Sequence, residues 1–236
     1  MPGTISLLRP SRYPIRHPSG GRTTLYLVRH GRTLGNVQGI LVGSTDVPLD
    51  ELGIQQAHLV GERLAAAIQG DVLLSSPLQR ARVTAEIIGS KMNLLPEVRP
   101  NLSEWNFGTA EGLTFEAIAQ QHPELFPRLA DYNDFDVGWP GGETRRDFHA
   151  RVYQEFLDIL AHYESHTLIV VAHGGVFGSL LAQIQGRSPN DPAAFDIKNC
   201  SVTHLEVSID ETAVHLLNDV EHLNGLTDPL DGSDDA

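Results

Sequence analysis

The stretch Leu25-Tyr26-Leu27-Val28-Arg29-His30-Gly31 decides the expected fold, because a short apolar run leads directly into two basic residues and a glycine. A run of this kind is typical of a strand that is buried on both faces of a sheet. The stretch Leu168-Ile169-Val170-Val171-Ala172-His173-Gly174-Gly175 repeats the pattern much later in the chain. Each stretch therefore predicts a buried strand that places one histidine at its carboxyl end.

Strand-like and helix-like segments alternate around these two stretches. Residues 71–75 and 94–98 have strand character, and residues 205–209 and 214–216 alternate as in a terminal hairpin or edge pair. Apolar residues recur at helical spacing in segments 52–70, 80–92, 148–160 and 176–184. The pattern predicts an α/β fold, with a mostly parallel sheet flanked by helices on both faces.

Local signals refine the predicted boundaries. Gly70 is expected to close the first long helix, and Ser76 to cap the second, with Pro77 at its first position. The loop-rich segment 102–142 is expected to hold one short helix and to form an insertion over the functional site of the protein. Residues 23–225 are predicted to form a single domain, between a flexible leader, 1–22, and a disordered acidic tail, 226–236.

Composition excludes several classes of function. The chain has 236 residues, of which 41% are hydrophobic and 20% charged, and its formal net charge is −13. Nucleic acid and anionic membranes are disfavoured as partners, because both require a broad basic surface. A single cysteine, Cys200, forms no internal disulfide, and this favours a reducing cytoplasm. The sequence leaves open whether the chain forms a homodimer.

Basic groups and glycines are expected to converge at one edge of the sheet, where parallel strands end and ligands bind. Arg29 follows the first strand, Arg80 begins the helix after the strand at 71–75, and Gly174 opens a helix whose amides favour an anion. Such groups suit a phosphoryl group. No acidic metal cluster accompanies them, so no metal or other cofactor is predicted. An imidazole can then serve as the nucleophile, with Glu104 as general acid.

Four sequence blocks, in order, resemble those of the histidine phosphatase superfamily, also called the phosphoglycerate mutase-like family. The blocks are Leu27-Val28-Arg29-His30-Gly31-Arg32-Thr33 with Asn36; Ser75-Ser76-Pro77-Leu78-Gln79-Arg80-Ala81 with Thr84 and Ala85; Leu102, Glu104, Phe107-Gly108 and Glu111-Gly112; and Val171-Ala172-His173-Gly174-Gly175. Together they cover roughly residues 25 to 222 and predict the phosphoglycerate mutase-like version of the α/β fold.

The resemblance implies a role for each matched residue. His30 would be phosphorylated, Glu104 would donate the proton, and His173 would hold the transferring group. The implied phosphate-binding residues are Arg29, Asn36 and Arg80, to which Thr33 and the amide of Gly174 are added as candidates from their positions. Glu111 is a competing candidate for the acid.

Two departures from the family pattern concern the substrate. Val42 stands where the family usually has a polar residue, and Ala110 stands where it often has Trp. The compact Gly141-Gly142-Glu143-Thr144 stretch looks more like the phosphatases than the mutases.

The predicted function is a metal-independent phosphomonoester hydrolase that acts on small phosphorylated metabolites through a covalent phosphohistidine. The alternatives are a bisphosphoglycerate-dependent phosphoglycerate mutase and a catalytically silent phospho-ligand binding protein.

Overall fold

A computed structural model of the chain describes residues 15–18, 20–188 and 196–227. Its strands are β1 (Arg22–Arg29), β2 (Val72–Ser75), β3 (Pro96–Val98), β4 (Thr167–Ala172), β5 (Val202–Ser208) and β6 (Thr212–Asp219). Its α-helices are α1 (Leu34–Gln38), α2 (Glu51–Ala67), α3 (Gln79–Met92), α4 (Phe115–Gln121), α5 (Leu125–Ala130), α6 (Arg145–His162) and α7 (Gly174–Ile184).

The described strands form one sheet in the order β3-β2-β4-β1-β5-β6. The pairs β2–β3, β2–β4 and β1–β4 are parallel, and β5 and β6 add an antiparallel edge. Within the β1–β4 pair, Val28 lies opposite Val171 and Arg29 opposite Ala172. This register brings the ends of the two strands, and hence His30 and His173, to the same level at one edge of the sheet.

Helices cover both faces of the sheet, as predicted. On one face the apolar side chains of α6 and α7, among them Phe156 and Leu180, pack with those of the segment that follows β3. On the other face, Val60 and Leu64 of α2 pack with Ile88 of α3 against the sheet. Burial of two separate apolar clusters is what fixes the sheet as the central layer.

Three local predictions are wrong. Helix α2 ends at Ala67 with Ile68 as its C-cap, because Ile68 already has extended backbone and leads the chain towards β2; Gly70 lies beyond the cap. Helix α3 begins at Gln79, after Leu78, which provides no side-chain cap. The Ser76 hydroxyl instead lies 2.7 Å from His173 Nε2. The insertion contains two short α-helices, α4 and α5, rather than one.

The structure describes part of the predicted leader and two residues of the predicted tail. The Ile15 side chain is buried, and the amide of His17 donates to the Ser208 carbonyl at 3.0 Å. The described chain therefore already packs on β5 before residue 23, and the predicted domain boundaries stay a prediction. Most of the predicted leader, 1–14 and 19, and of the tail, 228–236, lies outside the described residues. Within the described ranges, no helix has the length and apolarity needed to cross a membrane.

Candidate active site

A cavity of about 540 Å³ opens at the carboxyl ends of β1, β2 and β4. We call its lining residues Arg29, His30, Arg80 and Gly174 the floor, because they lie at or shortly after the carboxyl ends of these strands. The residues we call the wall are apolar and come from the loops above the sheet. They are Ile40, Leu41, Val42, Trp105, Phe107, Phe115, Leu129 and Trp139.

His30 lies on the floor with one ring nitrogen fixed. Its Nδ1 is 2.7 Å from the carbonyl oxygen of Gly31. Because a carbonyl only accepts hydrogen bonds, Nδ1 must carry the proton, and the lone pair is on Nε2. Burial, followed by the positive charges of Arg80 and Arg29, lowers the pKa of His30 well below its ordinary value. The ring is therefore neutral at physiological pH and can act as a nucleophile through Nε2.

His173 lies behind the floor, fully buried, with its ring centroid 5.1 Å from that of His30. It does not itself line the cavity. Its Nε2 is 2.7 Å from the hydroxyl of Ser76, whereas its Nδ1 is buried without a hydrogen-bond partner among the described residues. Burial, followed by the charges of Arg80, His30 and Arg29, lowers the pKa of His173 well below its usual range. This ring is also neutral.

The two floor arginines are fixed by backbone carbonyls rather than by carboxylates. Arg80 donates to the carbonyls of Thr45 and Gly43, at 2.9 and 2.6 Å. Arg29 donates through Nη1 to the carbonyl of Ile197, and its Nε is buried without a partner in the described part of the chain. Burial lowers the pKa of both guanidiniums. Two desolvated cations that form no ion pair with a carboxylate among the described residues make the floor suited to an anion.

Thr33 and Asn36 line the cavity beside His30 and form a capping box at the start of α1. Asn36 Oδ1 accepts from the amide and the hydroxyl of Thr33, both at 3.1 Å, and from Asn199 Nδ2 at 3.3 Å. Asn199 Nδ2 also lies 3.0 Å from the carbonyl oxygen of His30. With its oxygen engaged in this way, Asn36 has its amino group to offer to a ligand.

The carboxylates of Glu104 and Glu111 occupy different environments. Glu104 lines the cavity and accepts from the amides of Trp105 and Gly175, both at 2.9 Å. Glu111 lies outside the lining and accepts from the amides and hydroxyls of Ser44 and Thr45, and from the amide of Phe107. Partial burial raises the pKa of Glu111, but these hydrogen bonds outweigh it and lower the pKa overall. Glu111 is thus an ionised scaffold group, and Glu104 is the carboxyl in reach of a ligand.

The glycines that open α7 have different requirements. A Cβ at position 175 would lie 2.2 Å from Glu104 Oε1, so Glu104 can dock on this helix only because residue 175 is glycine. A Cβ at position 174 would make only ordinary contact with the Arg29 guanidinium, at 3.6 Å. Both glycines line the cavity, but the amide of Gly175 donates to Glu104.

Seven of the eight predicted site residues line this one cavity, and His173 lies directly behind them. The seven are Arg29, His30, Thr33, Asn36, Arg80, Glu104 and Gly174. Sequence reasoning missed Ser76 and Asn199, which contact His173 and Asn36, and most of the wall. Ser76 belongs to the second of the four sequence blocks, but its position after a strand predicted only a helix cap.

The fold and the site define a class of protein, an α/β enzyme with a cavity suited to a phosphoryl group. The model of the histidine phosphatase superfamily (branch 1) matches residues 25–220, and the chain belongs to this superfamily.

Relatives of known sequence agree with this class. The chain is 31% identical to a metal-independent phosphoserine phosphatase from Arabidopsis thaliana, over 86% of this chain and 84% of the relative. It is 30% identical to a probable phosphoglycerate mutase, GpmB, from Yersinia pestis, over 77% of this chain and 84% of the relative.

A solved structure is also similar, that of a phosphoserine phosphatase variant from Entamoeba histolytica in complex with phosphoserine. Its TM-score is 0.76 at 26% identity, over 85% of this chain and 99% of that one. The comparisons confirm the predicted α/β fold and the predicted class, a phosphomonoester hydrolase of the histidine phosphatase superfamily.

Proposed function

We propose that the chain hydrolyses phosphomonoesters of small metabolites, without a metal ion, through a phosphohistidine on His30. The observation that carries the proposal is the hydrogen bond from His30 Nδ1 to the Gly31 carbonyl. It fixes the tautomer that has its lone pair on Nε2, in a ring that lines a cavity between two desolvated arginines.

In the first step, His30 Nε2 attacks phosphorus while the bond from phosphorus to the ester oxygen breaks. Arg29 and Arg80 bind the phosphoryl oxygens, where charge develops in the transition state. Arg29 Nε and His173 Nδ1, both buried without partners among the described residues, are two further groups suited to this anion. Glu104 gives its proton to the departing oxygen, so that an alcohol leaves rather than an alkoxide.

In the second step, the Glu104 carboxylate takes a proton from water as the water oxygen attacks phosphorus. The bond from phosphorus to Nε2 breaks, which releases inorganic phosphate and restores neutral His30 and protonated Glu104. The amides of Trp105 and Gly175 hold the carboxylate in one place for both proton transfers. The resemblance to a metal-independent phosphoserine phosphatase supports a reaction without a metal.

Labelling of the enzyme tests the proposal. The protein is mixed with a ³²P-labelled phosphomonoester and quenched in base, where phosphohistidine survives, and in acid, where it is lost. We expect acid-labile label on the wild-type protein, none on His30→Ala, and turnover that a chelator leaves unchanged. Turnover that stops with a chelator would contradict the metal-free reaction.

The labelling experiment and an assay of phosphate transfer separate the other two functions. A silent binding protein would bind phosphate esters without becoming labelled. A phosphoglycerate mutase would transfer phosphate between the hydroxyls of phosphoglycerate, in the presence of the bisphosphate, faster than it releases phosphate. A cytoplasmic location and a homodimer stay predictions from the sequence.

A further inference from the structure

The cavity wall is apolar and largely aromatic. Trp105, Phe107 and Trp139 pack on one another, with ring centroids 4.9 to 6.4 Å apart. Phe115 stands at the rim, where about half of its surface is exposed. A cavity of about 540 Å³ has room for a phosphoryl group and an attached ring. An apolar group placed against this wall gains from removal of its surface from water.

The lining offers little to a second negative charge on the substrate. Its basic residues, among those described, are Arg29, Arg80 and Arg145. The first two belong to the floor. Arg145 is buried, and its guanidinium donates to carbonyls at the end of α5 and in the loop that follows, including those of Leu129 and Asp131. It is thus engaged in holding the insertion in place. A substrate carboxylate would meet the wall and the carboxyl of Glu104, at a cost in desolvation.

One side-chain polar group of the wall has no hydrogen-bond partner in the part of the chain that the structure describes. Trp139 is 7% exposed, lines the cavity, and has its Nε1 buried with no hydrogen-bond partner among the described residues. The indole of Trp105 contrasts with it, since its Nε1 lies 3.4 Å from the Glu143 carbonyl oxygen. A buried N–H without an acceptor is costly, and a ligand acceptor that reached Nε1 through a shift of the packed wall rings would remove that cost.

From these three observations we infer that the alcohol released by this enzyme is uncharged and largely apolar, with an aromatic or similar group against the wall and a hydrogen-bond acceptor for Trp139 Nε1. This inference rests on the proposed function, since it names the substrate class of the same cavity. It distinguishes the chain from relatives whose substrates carry a carboxylate, such as phosphoserine phosphatase.

Four kinds of phosphate ester of primary alcohols test the inference. They are 2-phenylethyl phosphate, the ring isomers of 2-(pyridyl)ethyl phosphate, phosphoserine and glycerol phosphate. All are assayed above neutral pH, where the pyridine nitrogen is an unprotonated acceptor. We expect kcat/KM for 2-phenylethyl phosphate to exceed that for phosphoserine by at least about tenfold, from burial of the ring. A preference for phosphoserine would overturn the inference.

The variant Trp139→Phe tests the hydrogen bond, because it keeps an aromatic ring and removes the N–H. It should lower kcat/KM for the best pyridyl isomer by about threefold to tenfold more than for the phenyl ester, which serves as its matched control in the same protein. Equal losses on the two esters would mean that Trp139 has only a packing role, and would overturn that part of the inference.

A second variant keeps the inference testable if Trp139→Phe does not fold. Phe115→Ala changes an exposed rim residue and should lower kcat/KM for the phenyl ester severalfold, with little effect on glycerol phosphate. Acid-labile labelling of His30 is measured for every protein. If label appears but carboxylated esters react best, the inference fails while the proposed function stands. If no ester labels the protein, the proposed function fails.

Discussion

The floor and the wall of the cavity meet the same ligand but are built differently. Floor residues follow strand ends, and backbone groups orient them, as the carbonyl of Gly31 orients His30 and those of Thr45 and Gly43 orient Arg80. The wall comes from loops and short helices, and its rings are fixed mainly by packing on one another. The geometry that breaks a phosphate ester is therefore tied to the sheet, while the surface that meets the leaving group can change without disturbing it.

Exchange of carboxyls for amides gives the largest expected effect, because Glu104 is the proposed proton donor to the leaving group. Glu104→Gln should lower kcat about 10²- to 10⁴-fold, since the amide cannot supply the proton. The loss in kcat/KM, which reports the first step, should shrink for 4-nitrophenyl phosphate, whose leaving group needs no proton, whereas kcat on this ester stays limited by the water attack that Glu104 also assists. Steady-state kinetics on an alkyl ester and on this activated ester measure both effects.

Glu111→Gln is the matched control for this exchange, seven residues along the chain. Glu111 accepts five hydrogen bonds, of which four come from Ser44 and Thr45 and join its loop to them, and it lies outside the cavity lining. Its amide variant should lose about 1–3 kcal/mol of unfolding free energy and retain most of kcat. A larger kcat loss in Glu111→Gln than in Glu104→Gln would reverse the assignment of the acid.

The pH dependence of stability tests the burial of His30 and His173. The folded-state pKa of both His30 and His173 lies below the ordinary value of 6.5. Below that pH the unfolded chain binds more protons than the folded one, so the free energy of unfolding should fall as pH falls, by up to about 1.4 kcal/mol per pH unit for each ring. Denaturant unfolding at a series of pH values measures this slope.

Single substitutions show which histidine causes the slope of unfolding free energy against pH. His173→Asn should reduce the slope below pH 6.5, whereas His58→Gln, at an exposed position on α2, should not change it. If both variants keep the wild-type slope, the ring at 173 is protonated in the folded state and the floor is not as desolvated as its burial indicates.

Sequence predicted the floor better than the wall, for a physical reason. An apolar strand followed by His and Gly is a local signal, and parallel strands end at one edge of a sheet, so residues 30 and 173 had to approach each other. The wall residues Phe115, Leu129 and Trp139 come from a segment without long periodicity. Their meeting depends on how loops pack over the sheet, which no local pattern records.

The wrong prediction of a cap at Ser76 has the same cause. A serine and a proline before a helix satisfy the local rule for an N-cap, but the Ser76 hydroxyl is within hydrogen-bonding distance of His173, a contact far along the chain. Similarly, the contact between Asn199 and Asn36 joins distant loops. Tertiary contacts of this kind override local rules most often beside a functional site.

The smallest predicted effect concerns this serine, which supports the floor from behind. Ser76→Ala removes the hydroxyl that contacts His173 Nε2 and leaves the ring buried with neither nitrogen hydrogen-bonded to the described residues. A lost neutral hydrogen bond is worth about 1 kcal/mol, or about fivefold in kcat/KM. Ser75→Ala is the matched control, because that buried hydroxyl donates to the Ser76 carbonyl and does not contact His173. Equal kcat/KM values for the two variants would show that the orientation of His173 does not depend on Ser76, and that the floor is held by its backbone alone.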